Sequence, residues 1–132
     1  MPRITPINPW TWQDRFGYSQ AYEVTGAERV IYCAGQTSVD GEGRPLHAGN
    51  MVLQLIQALD NLEVVLTQAG LTLGNVVRLN YYVTDVQAYF AAAPHVEERL
   101  RDAGCRAPGS LLGVAALFHP DIVIELEATA VG

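Results

Sequence analysis

The sequence predicts an α+β fold, in which a single sheet of five or six strands carries two helices on one of its faces. Short runs in which apolar residues alternate with a period of two occur towards both ends of the chain, and such runs are typical of strands. Between them lie two longer stretches with helical periodicity, each preceded by a residue that can cap a helix. The order is strand, strand, strand, helix, strand, helix, strand, strand. No repeat interrupts it, so residues 1–132 are expected to form one domain.

The composition favours an oligomer and argues against two classes of partner. Hydrophobic residues make up 49% of the chain and charged residues only 17%, a larger apolar share than a small monomer hides easily. The formal net charge of −6 repels phosphate backbones and no run of Lys or Arg offsets it, so no nucleic-acid partner is expected. Residues 1–15 contain no apolar run suited to secretion or membrane insertion. We therefore expect a cytoplasmic protein with no membrane partner.

The residues that most often bind metals are scattered along the chain. Cys33 and Cys105 lack the paired spacing of zinc sites and redox motifs, and both are expected to be reduced thiols. His47, His95 and His119 come from a predicted loop, helix and turn, without the spacing of ligands. The sequence therefore predicts no metal site.

The N-terminal part of the chain is predicted to be extended. Residues 1–17 are expected to form an arm or an edge strand, because prolines punctuate them. Ser19–Val24 and Arg29–Ala34 are predicted to pair as a hairpin. Residues 35–43 contain three glycines and form a loop. The spacing of these glycines is not that of a phosphate-binding loop.

The first helix is predicted over Met51–Ala69. The side chain of Asn50 can cap its start, and Gly70 suits the left-handed position after its end. An apolar stripe is formed by Val52, Leu55, Ile56, Leu59, Leu62, Leu66 and Ala69. The polar residues on the other faces, which are expected to lie on the wet side of the helix, include Gln54, Gln57, Glu63 and Gln68.

A strand over Val76–Val83 precedes the second helical segment. This segment runs from its cap at Asp85 to Ala103, and Pro94 either kinks the helix or starts a new one. Alternation places one set of strand residues on the face away from the helices, namely Val76, Arg78, Asn80 and Tyr82. Because two helices cover only one face of the sheet, this second face is expected to be solvated or covered by a partner. The apolar composition favours a partner.

The last 24 residues are predicted to form two strands, Ser110–Leu117 and Ile122–Val131, joined by a turn. In the second strand Glu125 and Glu127 project from one face, whereas the other face is entirely apolar. If water covers the two carboxylates, they are ordinary surface groups. If another subunit covers them, the pKa of one carboxyl rises and that carboxyl becomes a candidate acid or base.

Five segments in order carry a resemblance to a known family: Cys33–Gln36, Ala58–Leu62, Tyr82–Asp85, Gly113–Leu117 and Ile124–Val131. From about residue 18 to its end, the chain resembles the RidA/YjgF family, which is also described as L-PSP endoribonuclease-like. The resemblance implies a chorismate-mutase-like α+β fold and a homotrimer that binds a small molecule in clefts between subunits. It also implies hydrolysis of enamines and imines such as 2-aminoacrylate to keto acids and ammonia, without a metal or cofactor.

The resemblance gives several residues a role. Glu125 matches the glutamate that orients or activates the attacking water, a task suited to a carboxyl because it can accept and return a proton. Tyr18 matches a tyrosine that lines the cleft, and Gly35 falls where a backbone N–H group faces the ligand. Ala34 stands where a serine is frequent, and Leu111 where a cysteine is common.

The main departure from the family pattern is Gly109. It takes the place of an arginine that binds the substrate carboxylate, and a glycine cannot form that charge-assisted pair. Arg106 and Arg78 are the candidate replacements, while Ser110 either donates a hydrogen bond to a ligand or satisfies the backbone. The sequence therefore predicts a pocket for a neutral or differently charged molecule.

Three functions remain open at this point. The first is hydrolysis of an imine-like compound with Glu125 as the catalytic residue. The second is binding of a small metabolite or a partner without chemistry, by a metabolite-binding or regulatory trimer. The third is endoribonuclease activity, which the acidic charge of the chain disfavours. Trp10 and Trp12 lie two residues apart in the N-terminal arm. They either cover the cleft or anchor the arm.

Overall fold

The computed structural model describes residues 2–132 and contains seven strands and three α-helices. The strands are β1 (Arg3–Ile7), β2 (Ala21–Thr25), β3 (Val30–Tyr32), β4 (Gln36–Thr37), β5 (Val76–Val83), β6 (Leu111–Gly113) and β7 (Ile124–Val131). The helices are α1 (Met51–Gln68), α2 (Val86–Ala92) and α3 (Pro94–Asp102). Within residues 2–132, none of these helices combines the length and the hydropathy that a membrane-spanning helix needs.

The strands form a mixed five-stranded sheet and a separate two-stranded ribbon. In the sheet the order is β3-β7-β5-β6, and β4 pairs with β7 along the same edge as β3. Only β5 and β6 run parallel, and the other pairs are antiparallel. The ribbon consists of β1 and β2. The predicted α+β fold class is confirmed.

The predicted hairpin between residues 19–24 and 29–34 is wrong. β2 pairs with β1, whereas β3 pairs with β7, where Ile31 lies opposite Ala130. The chain is turned onto β7 because the backbone N–H groups of Glu28 and Arg29 both donate to the carbonyl oxygen of Gly132 at 2.9 Å. The turn between β2 and β3 therefore directs β3 to pair with β7 and not with β2.

Helix α1 packs across the helix-covered face of the sheet and forms the core with it. The Asn50 side chain accepts a hydrogen bond from Leu53 N, and Gly70 adopts a φ of 75°, so both predicted ends are confirmed. From β7 the buried side chains are the predicted alternate set, Ile124, Leu126, Ala128 and Ala130, and Val131 at the end of the strand is buried as well. From α1 they include Leu55, Ala58, Leu59, Leu62 and Leu66. This core fixes which face of β7 remains for Glu125 and Glu127.

Gln54 lies inside the protein and not on the wet side of α1, so that expectation is wrong. Its side-chain Nε2 donates to the carbonyl oxygens of His47 at 3.0 Å and Asp121 at 2.6 Å. Its Oε1 accepts from the backbone N–H of Val123 at 2.9 Å. A buried amide is tolerated here because backbone groups satisfy it. Gln54 thereby attaches α1 to the turn that leads into β7.

A β-bulge changes the faces at the start of β5. Val76 lies opposite Ala130 and Arg78 lies opposite Thr129, so Val77 is the additional residue. Val76 therefore points into the core and is only 1% exposed, contrary to the predicted alternation. From Arg78 onward the predicted alternation holds, since Leu79 and Val83 are buried while Arg78 is exposed.

Two segments of the chain differ in extent from the predicted elements. Pro94 begins α3 as a separate helix, which decides between the two alternatives given by the sequence. The strand predicted over residues 110–117 ends at Gly113, because β5, its pairing partner, ends at Val83. The helix-covered face therefore carries three helices where two were expected.

Candidate functional site

Two carboxylates lie side by side on the open face of the sheet, the face opposite the helices. Glu125 and Glu127 alternate with the buried residues of β7 and are partly exposed. On the neighbouring strand β5, Tyr82 lies opposite Glu125 and Asn80 lies opposite Glu127. Cross-strand partners share a face of the sheet, so these four side chains form one polar cluster.

Within this cluster Glu127 is the carboxylate with hydrogen-bond donors. Tyr82 OH donates to Glu127 Oε1 at 2.7 Å, and Asn80 Nδ2 donates to the same oxygen at 3.1 Å. These two bonds stabilise the ionised form and lower the pKa of Glu127, while the neighbouring carboxylate raises the pKa of Tyr82. Glu127 is thereby favoured as the charged member of the pair.

Glu125 is in the opposite situation. Its carboxylate makes no hydrogen bond to any other residue among residues 2–132. Partial burial raises the pKa of Glu125, and the charge of Glu127 raises it further. Two neighbouring carboxyls with pKa values pushed apart are the arrangement that allows one of them to exchange protons.

The loop before β4 lies directly against the Glu125 carboxylate. A Cβ atom added to Gly35 would overlap Glu125 Oε2, so a larger residue at this position would displace the Glu125 side chain. Ala34 is exposed beside it, and its carbonyl oxygen accepts a hydrogen bond from Gln36 Nε2 at 3.1 Å. The structure therefore brings together three of the residues predicted for the site: Ala34, Gly35 and Glu125.

A second group of predicted residues lines a cavity of about 720 Å³ on the other side of the sheet, named here the aromatic cavity. The predicted residues in its wall are Tyr18, Arg106, Gly109, Ser110 and Leu111. The aromatic side chains in its wall are Trp12, Phe16, Tyr18, Tyr81, Tyr89 and Phe90. They come from the N-terminal segment, β5 and α2, positions that are distant in sequence. This separation is why sequence patterns did not identify Phe16, Tyr81, Tyr89 and Phe90 as pocket residues.

Gly109 reaches this cavity along a backbone path that leaves no space for a side chain. A Cβ atom at this position would overlap the carbonyl oxygen of Leu79. The close approach is held by hydrogen bonds from Leu79 N to Pro108 O at 3.1 Å and from Tyr81 N to Ser110 O at 2.8 Å. An arginine at this position would require a different course of the backbone.

The two candidate replacement cations are placed differently. Arg106 lines the aromatic cavity, but its Nη2 donates to Asp14 O at 3.3 Å and lies 3.6 Å from Asp14 Oδ1. Arg78 is exposed on the open face, opposite Thr129 and outside the wall of the cavity. Of the two, only Arg106 lines the cavity, and its guanidinium is paired with Asp14.

Asn80 connects the two groups of residues. Its Oδ1 accepts from Ser110 N at 3.0 Å, and its Nδ2 donates to Glu127. Glu125 lies on the open face, whereas Leu79 and Tyr81 line the cavity from the helix-covered side. The residues predicted for one site thus form two groups separated by β5 within one chain.

Several known proteins are similar to this chain in structure or in sequence. The crystal structure of the Rid family protein YyfB from Yersinia pestis superposes with a TM-score of 0.86, at 31% identity, covering 99% of this chain and 98% of that one. A RutC family protein from Aquifex aeolicus is 30% identical over 84% of this chain and 86% of its own length. The mouse 2-iminobutanoate/2-iminopropanoate deaminase is 36% identical over 54% of this chain and 51% of the mouse protein.

The fold is that of the Rid proteins. The family model for endoribonuclease L-PSP matches residues 13–132. The chain belongs to this family, which is also called the RidA/YjgF family, and the predicted resemblance is confirmed.

Proposed function

We propose that this protein hydrolyses a small enamine or imine that carries no carboxylate beside its C=N bond, with Glu125 as the catalytic residue. The proposal is supported by the difference in hydrogen bonding and pKa between the two carboxylates of the pair. Glu127 is held by Tyr82 and Asn80, whereas Glu125 is free of such bonds and its pKa is raised. A raised pKa suits a group that must both accept and donate a proton near neutral pH.

The reaction needs one water molecule and no other reactant. Glu125 takes a proton from the water as the water oxygen adds to the imine carbon, and it returns this proton to the nitrogen to give a carbinolamine. The proton then passes from the hydroxyl group to the departing nitrogen by way of the same carboxylate. The C–N bond breaks, and the products are a carbonyl compound and ammonia. The two proton transfers are the general base and general acid steps of one carboxyl group.

Gly109 is the reason why we expect a substrate without a carboxylate. The mouse relative is named for two imino acids, each of which carries a carboxylate. In the present protein the backbone at Gly109 leaves no space for a cationic side chain, and Arg106 is already paired with Asp14. A buried carboxylate without a partner would bind poorly, because its lost hydration is not replaced.

We further propose that the protein is a homotrimer and that the ligand binds between its subunits. On the open face Tyr32 is 81% exposed and Leu112 is 46% exposed, next to the carboxylate pair. Covering this apolar area would favour association and would exclude water from Glu125. Analytical ultracentrifugation should give three times the chain mass of 14.4 kDa, and Tyr32→Arg should reduce it. A monomer at micromolar concentration would contradict this part of the proposal.

The second candidate function is binding without catalysis. It is favoured by one observation, namely that Glu125 and the aromatic cavity lie on opposite sides of β5 within one chain. The description of the family as an endoribonuclease gives a third candidate, which the net charge of −6 disfavours.

The deciding experiment measures the decay of imines formed in situ. A flavin amine oxidase supplies imines without a carboxylate, and an amino-acid oxidase supplies imino acids of similar size. We expect the protein to accelerate release of ammonia from the first class, and Glu125→Gln to abolish the acceleration. Glu23→Gln, which changes an exposed glutamate on β2, is the matched control. Equal acceleration of both classes would contradict the role of Gly109, and no acceleration of either would favour binding alone.

A further inference from the structure

The aromatic cavity has the size of a ligand pocket and is formed by a single chain. Its volume of about 720 Å³ lies within the range of about 300 to 1,000 Å³ that is usual for small-molecule sites. Four parts of the chain enclose it: the N-terminal segment that contains Trp12, the strand β5, the helices α2 and α3, and the segment from Cys105 to the start of β6. We infer that this cavity binds an uncharged, planar aromatic group.

The walls favour a flat apolar group. Trp12 and Tyr18 lie edge to face, with ring centroids 6.3 Å apart, on the side of the N-terminal segment. Tyr89 contacts Tyr81 and Phe90, with centroid distances of 5.2 and 6.0 Å, on the side of α2. Aromatic pairs gain energy from such geometry in addition to the area they bury. An aromatic ligand would extend both clusters.

Two of these aromatic side chains are largely exposed. Trp12 is 55% exposed and Phe90 is 54% exposed. Large exposed rings beside a cavity mark a surface that a ligand can remove from water. The free energy gained grows with the apolar area covered, at roughly 25 cal/mol per Å² before the costs of association.

One part of the cavity wall carries no charge. It consists of Leu79, Leu111, Cys105, Tyr81 and Tyr89, which are all buried or half-buried. Burial raises the pKa of Cys105, and it raises the pKa of Tyr89 to about 12. These groups are neutral at physiological pH, so they offer a charged ligand atom hydrogen bonds but no opposite charge.

Five charged residues line the cavity, namely Asp14, Arg15, Glu97, Arg101 and Arg106. Arg106 is paired with Asp14, and the Arg15 guanidinium lies over the Phe16 ring at 4.7 Å from its centroid. Glu97 and Arg101 are both exposed on α3. A ligand carboxylate would therefore have to displace one of these contacts, or remain close to solvent, in order to meet a cation.

This inference deepens the proposed function and depends on it in one respect. Tyr18, Gly109, Ser110 and Leu111, which the family resemblance assigns to the substrate, all line the cavity. In the proposed trimer the aromatic group would be the part of the substrate that does not react, and Glu125 of the partner subunit would act on the C=N bond, because β5 separates Glu125 from the cavity within one chain.

The test compares two ligands that differ by one carboxylate, indole and indole-3-carboxylate. Isothermal titration calorimetry on the full chain should give saturable binding of indole, at least tenfold tighter than binding of indole-3-carboxylate. Equal affinities, tighter binding of the carboxylate, or no saturation by either compound would overturn the inference.

Two tryptophans provide matched variants. Trp12→Ala should weaken indole binding about tenfold, because Trp12 lines the cavity. Trp10→Ala should leave it unchanged, since Trp10 is 57% exposed and lies outside the wall. Both changes are at exposed positions, and thermal melts confirm that the variants are folded. Equal effects of the two variants would overturn the inference.

The same measurements separate this inference from the proposed function. Glu125→Gln should bind indole like the unmodified protein while losing imine turnover. Binding of indole with no turnover of any imine would contradict the proposed function alone. Turnover of imines without indole binding would contradict the assignment of the cavity alone.

Discussion

Tyr82 and Glu127 are joined across two strands by a hydrogen bond of 2.7 Å, and this bond distinguishes the two carboxylates of β7. The donor lies directly opposite Glu125 in the register of the sheet but bonds to its neighbour. Because a hydrogen bond to the charged form lowers a carboxyl pKa, the bond keeps Glu127 ionised. The charge of Glu127 in turn raises the pKa of Glu125.

Tyr82→Phe tests this relationship. Removing the hydroxyl group removes the shortest hydrogen bond to Glu127, so the pKa of Glu127 should rise. NMR titration of the glutamate carboxyl carbons measures the change. Tyr32→Phe is the control, because Tyr32 is exposed on the same face and is not bonded to either carboxylate. An unchanged pKa of Glu127 would show that Asn80 alone is sufficient.

The two carboxylates should have opposite effects on the stability of the folded chain. The folded-state pKa of Glu125 is raised above its ordinary value of 4.5, so ionisation in the folded state costs stability. This loss begins as the pH rises through 4.5 and is complete above the raised pKa. Glu125→Gln should therefore raise the free energy of unfolding at pH 7 and have little effect below pH 4.

Glu127 gives the reverse expectation. Its folded-state pKa is lowered from 4.5, so its contribution to stability is present above 4.5 and is lost as the pH falls through the lowered value. Glu127→Gln should reduce the free energy of unfolding at pH 7. Urea unfolding across pH 3 to 8 measures both variants under identical conditions. If both substitutions changed the free energy of unfolding in the same direction, the pKa values of Glu125 and Glu127 would not be shifted in opposite directions.

Gly109→Ala should destabilise the protein, because the new methyl group would meet the Leu79 carbonyl oxygen. The backbone must move, and this weakens the bonds that join residues 108–110 to β5. Overpacking of this kind costs roughly 1 to 3 kcal/mol. Gly41→Ala is the control, since a methyl group there meets nothing within 4 Å. A loss no greater than that of the control, measured by urea unfolding, would show that the segment moves freely.

Gln54→Leu should also be destabilising, although leucine is the better core residue elsewhere. The change leaves Val123 N without a partner, whereas the carbonyl oxygens of His47 and Asp121 keep their hydrogen bonds from Asn50 N and Gly49 N. Each buried polar group left unpaired costs about 1 to 3 kcal/mol. Gln68→Leu, at an exposed position near the end of α1, controls for the added apolar side chain. Equal stability of the two variants would mean that water replaces the amide.

The features that follow from local chemistry could be predicted from the sequence. The cap at Asn50, the φ of Gly70 and the alternation of β7 depend on residues a few positions apart. The first helix and the C-terminal strand were therefore located correctly. The placement of Glu125 and Glu127 on one face follows from the same alternation.

The features that depend on distant parts of the chain could not be predicted in this way. The bulge at Val77 and the burial of Gln54 are set by partners more than 50 residues away. The aromatic cavity joins Trp12 to Tyr89, and no sequence pattern relates these two positions. The closeness of Gly109 to Leu79 is likewise visible only in three dimensions.

Asn80 has a consequence for how the two sides of the sheet communicate. One amide group holds the start of β6 by its oxygen and the ionised carboxylate by its nitrogen. A molecule that shifts Ser110 from within the cavity would rotate this amide and alter the field felt by Glu125. A ligand bound in the cavity would thus change the pKa of Glu125 on the other side of the sheet. By thermodynamic reciprocity, protonation of the carboxylates would change the affinity of the cavity for that ligand.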